Sequence, residues 1–149
     1  MRVMKLGLFG AAGMFLAVSQ SVVAEDHIVK GIVTKWEPMV VFAQPGDRII
    51  FTNMAGHDAQ AIEGMVPEGT EIWQSKMGAE GFTVTLEKEG VYMYKCNPHV
   101  SLGMIGAIVV GDGTPANLAT VEGHPDNKGM IGRSVRIMKK ELQAKGMIE

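Results

Sequence analysis

Apolar and polar residues alternate along this chain in short runs separated by Gly and Pro, the pattern of half-buried β-strands joined by turns. Phe82, Val84 and Leu86 give its cleanest form, with Thr83 and Thr85 falling on the opposite face. The same reading expects strands over His27 to Val33, Met39 to Ala43, Asp47 to Asn53, Asp58 to Ile62, Val91 to Cys96 and Ile105 to Val110. Pro45-Gly46 is a turn, and Trp36-Glu37-Pro38 reads as a break, Pro38 making the next strand an edge or a late starter. Glu71 to Ser75 suits a short strand and a turn of helix equally.

About seven such strands predict an all-β domain, two sheets packed face to face with Greek-key connections. The pattern changes after residue 114. Thr114-Pro115 places an N-cap residue before Pro at the first helical position and predicts a short helix to about Val121. Ser134 is expected to cap a second helix, in which Val135, Met138 and Leu142 recur at helical spacing, ending near Gly146. No internal repeat or low-complexity segment interrupts the chain.

Residues 1–24 have a different composition. Arg2 and Lys5 make a basic start, Leu6 to Val18 is apolar and small, and Val22-Val23-Ala24 precedes the acidic Glu25-Asp26. These are the three parts of a secretory signal peptide, with cleavage expected after Ala24. The alternative, an uncleaved anchor, is disfavoured because Leu6 to Val18 is shorter than the roughly 20 residues that span a bilayer. Residues 25–149 then form one domain, large enough for a real core. The full chain has a net charge of −2, and losing Arg2 and Lys5 takes it to −4. Without a basic run, such a chain makes a poor nucleic-acid binder.

The chain has 1 cysteine, which in an exported protein has no internal disulfide partner. It is therefore an unpaired liability, an intermolecular bridge or a metal ligand. Cys96 lies between the last two strand runs, with His99 three residues on and Met104 five after that. A thiolate, an imidazole and a thioether, joined by a second imidazole, describe a His₂Cys copper centre with a weak axial Met. Zinc would more often take another Cys or His in place of the thioether. For the second imidazole His57 competes with His27 and His124; His124, in Gly123-His124-Pro125, reads as a solvated turn. If Glu25 becomes the N-terminus, its amine and the His27 imidazole could instead wrap a second Cu(II).

On Pro45-Gly46-Asp47, Gly56-His57, the run Ile62 to Gly69, Gly90-Val91-Tyr92, Cys96-Asn97-Pro98-His99, Gly103-Met104-Ile105-Gly106 and Pro115 to Leu118, the chain resembles the pseudoazurins. These are small blue copper proteins of the cupredoxin superfamily. The resemblance implies a cupredoxin-like Greek-key β-sandwich with two C-terminal α-helices, a feature that separates pseudoazurins from plastocyanin and azurin. It implies one type 1 copper ion held by His57, Cys96, His99 and Met104, with Met104 axial and His99 at the solvent edge where electrons cross. Relatives usually carry Asn after the upstream His and often Thr after the Cys, whereas this chain has Asp58 and Asn97. Two arrangements are open: Asn97 donates to the Asp58 carboxylate with the usual roles exchanged, or Asp58 points to water.

The implied work is one-electron transfer in the periplasm by a soluble monomer, not an enzyme. The implied partners are redox proteins such as a copper nitrite reductase, a cytochrome c or a quinoprotein dehydrogenase. Docking is expected at a patch around His99 made of Pro98, Val100, Leu102 and Met39, with Lys76 and Lys95 on its rim. The 12 methionines suggest a copper-delivery protein as the alternative, but Met1, Met4 and Met14 fall in the signal segment and the rest are unclustered.

Overall fold

A computed structural model describes residues 23–149. The expected signal peptide therefore lies outside the described residues, except for its last two positions. Strands β1 (Asp26–Ile32), β2 (Lys35–Glu37), β4 (Arg48–Thr52) and β6 (Phe82–Thr85) form one sheet in the order β2-β1-β4-β6. Strands β3 (Val40–Ala43), β8 (Ile105–Val110), β7 (Gly90–Lys95) and β5 (Gln60–Ala61) form the other, in the order β3-β8-β7-β5. The β1·β4 and β3·β8 pairs are parallel and the remaining pairs antiparallel. Helices α1 (Leu118–Gly123) and α2 (Gly129–Ala144) follow β8.

The second sheet is covered on both faces, which explains why every residue of β8 is buried. Side chains alternate across a strand. Tyr92, Tyr94 and Cys96, with Ile108 and Val110, enter the core between the sheets; Val91 and Met93, with Ile105, Ala107 and Val109, meet Leu118, Val121, Val135, Met138 and Leu142 from the helices. Each fully buried Leu, Met or Val of that helical stripe is worth roughly 1.5–3 kcal/mol relative to exposure. A continuous apolar run is what a two-faced strand requires.

Four expectations need correcting. Trp36 does not break the chain but is the centre of β2, where it pairs with Gly31 and stacks edge-on to Phe51 with ring centroids 5.5 Å apart. The fourth expected strand shrinks to Gln60–Ala61, and Glu71 to Ser75 contributes only a single bridge, Gln74 to Gln60. Helix α1 begins after Asn117 rather than at Thr114, whose hydroxyl donates instead to the Met147 carbonyl at 2.5 Å. Helix α2 begins at Gly129, with Ser134 buried inside it rather than capping it. Its first turn reads Gly-Met-Ile-Gly, two poor helix formers that hide the start. A Cβ at Gly132 would press the Asn127 carbonyl at 3.2 Å, so glycine lets the preceding turn pack onto the helix.

Candidate metal centre

Cys96 inherits its direction from β7. Counting in twos from Tyr92 and Tyr94 places its side chain in the inter-sheet core, where it is fully buried. The antiparallel register pairs Lys95 with Ile105, and the Cys96 N–H donates to the Met104 carbonyl at 3.0 Å, carrying the ladder one step further. Directly opposed residues share a face, so the fully buried Met104 lies on the same side as Cys96 and in the same core cluster.

Between them, Asn97–Leu102 winds into a 3-10 helix started by Pro98. Gly103, at φ 90°, reverses the chain, and the Met104 N–H donates to the His99 carbonyl at 3.1 Å. The His99 N–H in turn donates to the Cys96 carbonyl at 3.2 Å, folding the imidazole back over the thiol.

His57 comes from the turn after β4. Its N–H donates to the Met54 carbonyl at 2.8 Å, while the Glu80 carboxylate accepts the Asn53 and Met54 N–H groups at 2.9 and 3.0 Å. Those two N–H groups hold the Glu80 carboxyl below its ordinary range. On the far side the ring rests on Gly31, where a Cβ would lie 2.8 Å from His57 Cδ2. A glycine inside a strand run is a signal of such close approach. The sequence offered that signal for Gly31 but none for Glu80.

Three donors converge as a result. Cys96 Sγ lies 3.7 Å from His57 Nδ1 and 3.5 Å from His99 Nδ1, and ligand atoms of all three residues stand within 4.8 Å of one another. Donors about 2.0–2.3 Å from a shared first-row ion, spread trigonally, stand roughly 3.5–3.8 Å apart, so the spacing fits a His₂Cys ion site. His57 is buried, its imidazolium disfavoured by burial and by the nearby His99. Burial also pushes the Cys96 thiol up, and the Asp58 charge adds to this against the N–H groups that draw it down. The metal-free thiol therefore holds its proton and His57 its neutral form, and a metal entering the site must displace the thiol proton.

Asp58 does not point to water. Its Oδ1 accepts the Asn97 backbone N–H at 2.7 Å and its Oδ2 accepts the Asn97 side-chain amide at 2.7 Å, tying the two ligand loops together. The other amide hydrogen goes to Gln60 Oε1 at 2.8 Å.

The remaining imidazoles lie elsewhere. His27 Nε2 sits 2.9 Å from Asp47 Oδ2, whose partner oxygen accepts the Glu25 N–H at 2.8 Å. That carboxylate engages both groups the terminal Cu(II) idea needs, and β1 holds the intervening backbone extended. The His124 N–H closes a turn to the Val121 carbonyl beyond α1.

Residues 25–111 match the family of copper binding proteins described as the plastocyanin/azurin family. The chain belongs to that family. It is 37% identical to a pseudoazurin of Paracoccus pantotrophus over 118 residues, 74% of this chain and 80% of the relative. Among solved structures, a Sinorhizobium pseudoazurin aligns with a TM-score of 0.71 at 41% identity, covering 82% of this chain and 99% of the other. A pseudoazurin of Methylobacterium extorquens AM1 aligns with a TM-score of 0.70 at 32% identity, covering 78% and 98%. The fold is thus that of the cupredoxins, with copper as the cofactor and electron carriage as the activity.

Proposed function

We propose that His57, Cys96, His99 and Met104 hold one type 1 copper ion, and that the mature protein, cut after Ala24, is a soluble periplasmic one-electron carrier rather than an enzyme. The observation that carries this reading is the convergence of two imidazole Nδ1 atoms on one buried thiol sulfur. Bound copper would supply a Cu(II)/Cu(I) couple, with two imidazoles, a thiolate and a thioether as donors that would serve both states.

The protein's part is to hold the ligands still. Cys96 and Met104 are fixed at the neck of one hairpin, and His57 sits in the turn that Glu80 pins, its ring resting on Gly31 of the other sheet. Burial of Cys96 and Met104 keeps water from the sulfur atoms, and Asp58 locks the two loops in register. A site fixed from two sheets changes charge with little rearrangement.

Electrons leave through His99, which is half-buried, while the other donors lie beneath it. Leu102 and Val33 are 59% and 79% exposed, and with Met39 and Arg133 they border one groove beside the 3-10 helix. Pro98 is exposed as well. Val100 serves packing, tucked against Met130 and Ile131 of α2. A small apolar patch with scattered cations, Lys76 and Lys95 included, suits brief redox encounters that bury little area. Redox proteins such as a copper nitrite reductase, a cytochrome c or a quinoprotein dehydrogenase fit that surface, with this chain acting as a monomer.

Copper delivery would need a ligand set that opens. Voltammetry combined with copper competition by a Cu(I) chelator tests the choice: a reversible couple with slow copper loss supports the carrier, and rapid loss to the chelator without a reversible couple refutes it.

A further inference from the structure

Asp58 is 4% exposed, next in sequence to His57, and its hydrogen-bond partner Asn97 is next to Cys96. Each carboxylate oxygen accepts an N–H from Asn97, one from the backbone and one from the side chain, as an ionised carboxylate does. Among the described residues no lysine, arginine or histidine forms an ion pair with it. Gln60 turns the Asn97 amide so that its nitrogen, not its oxygen, faces the carboxylate. An unneutralised charge in a poorly hydrated place acts on its neighbours far more strongly than one in water.

Resting on the copper reading above, we propose that Asp58 sets the reduction potential of the centre. Its carboxylate charge, held between the ligand loops by the Asn97 amides, favours the more positive Cu(II) state and so keeps the potential low. A carrier built this way gives its electron readily, so its acceptor is the partner with the wider choice of potentials.

Asp58→Asn removes the charge and keeps the volume. We expect it to raise the ratio of Cu(I) to Cu(II) affinity about tenfold, a shift of about 59 mV upward for one electron. Asn97→Ala keeps the charge but strips one donor from it, and the potential moves in the opposite direction by less. Potentials measured by voltammetry on the copper-loaded proteins decide the matter, with the visible spectrum recorded alongside. Opposite shifts with the thiolate band intact support the proposal. An unmoved or lowered potential in Asp58→Asn, or a raised one in Asn97→Ala, overturns it. Should Asp58→Asn fail to hold copper, the sign in Asn97→Ala decides alone: downward supports the role of the charge, unmoved or upward overturns it. A wild-type protein lacking the thiolate band would refute the copper centre itself, an outcome distinct from unmoved potentials.

Discussion

Gly31→Ala tests whether β1 holds His57 in place. The new Cβ would meet His57 Cδ2 at 2.8 Å, the Asn53 carbonyl oxygen at 2.9 Å and His57 Cγ at 3.3 Å. Ordinary contact begins near 3.4 Å, so something must yield by about 0.5–1 Å. Asn53 has little freedom, since its backbone N–H is held by Glu80 and its amide donates to the Gly31 carbonyl. The imidazole is what moves. Overpacking of this kind costs about 1–3 kcal/mol, and each kcal/mol lowers the melting temperature of a domain this size by roughly 3–6 °C. Because Gly31 has no positive φ, the cost comes from contact alone. Thermal unfolding of the metal-free protein should therefore show the loss, and the copper-loaded protein should bind more weakly with an altered visible spectrum. A metal-free melting temperature within about 1 °C of wild type, together with an unchanged spectrum, would refute the reasoning.

Other perturbations separate individual supports. Burial alone would raise the Asp47 carboxyl, but the Gln44 and Glu25 N–H groups and His27 hold it below its usual range. Its contribution is complete above the ordinary carboxylate pKa of about 3.9 and is lost as pH falls through the lower folded value. Asp47→Asn should cost about 1.5–3 kcal/mol at neutral pH and flatten the acid limb of a stability profile measured by urea unfolding. Among the described residues Tyr94 has no partner for its buried hydroxyl, and burial pushes its ionisation far up. Tyr94→Phe should be neutral or stabilising by up to about 1 kcal/mol in the same assay, and a larger loss would mean the hydroxyl is bonded after all. Asn117 clamps α1 to β7 by accepting the Val91 N–H and donating to the Val91 carbonyl, both at 2.8 Å. Asn117→Ala leaves both groups wanting and should cost about 1–3 kcal/mol.

The strands most legible in the sequence were the continuous apolar runs of the sheet covered on both faces: β8 was expected at its observed bounds, Ile105 to Val110, and β7 within a residue at each end. β2 was hidden because a three-residue strand with one apolar side chain, Trp36, carries no period, and only packing against Phe51 and Tyr94 makes it one. The tail misled through its caps. Thr114 and Ser134 look like helix starts, but one hydroxyl is spent on the C-terminal segment and the other lies inside α2. Around the metal centre, Cys96, His99 and Met104 announce themselves by spacing, and His57 by its place after a strand. What the sequence could not give was the support behind them. Glu80 is one exposed carboxylate among many until the β4 turn folds over it, and the Asp58 and Asn97 roles depended on a side-chain direction that only the packed loops decide.

One measurement bears most directly on the whole account: the visible absorption of oxidised protein given one equivalent of copper, compared with Cys96→Ser. An intense thiolate-to-copper band at one copper per chain, absent from Cys96→Ser, is the result expected. A colourless complex, or a band that survives loss of the sulfur, would contradict it.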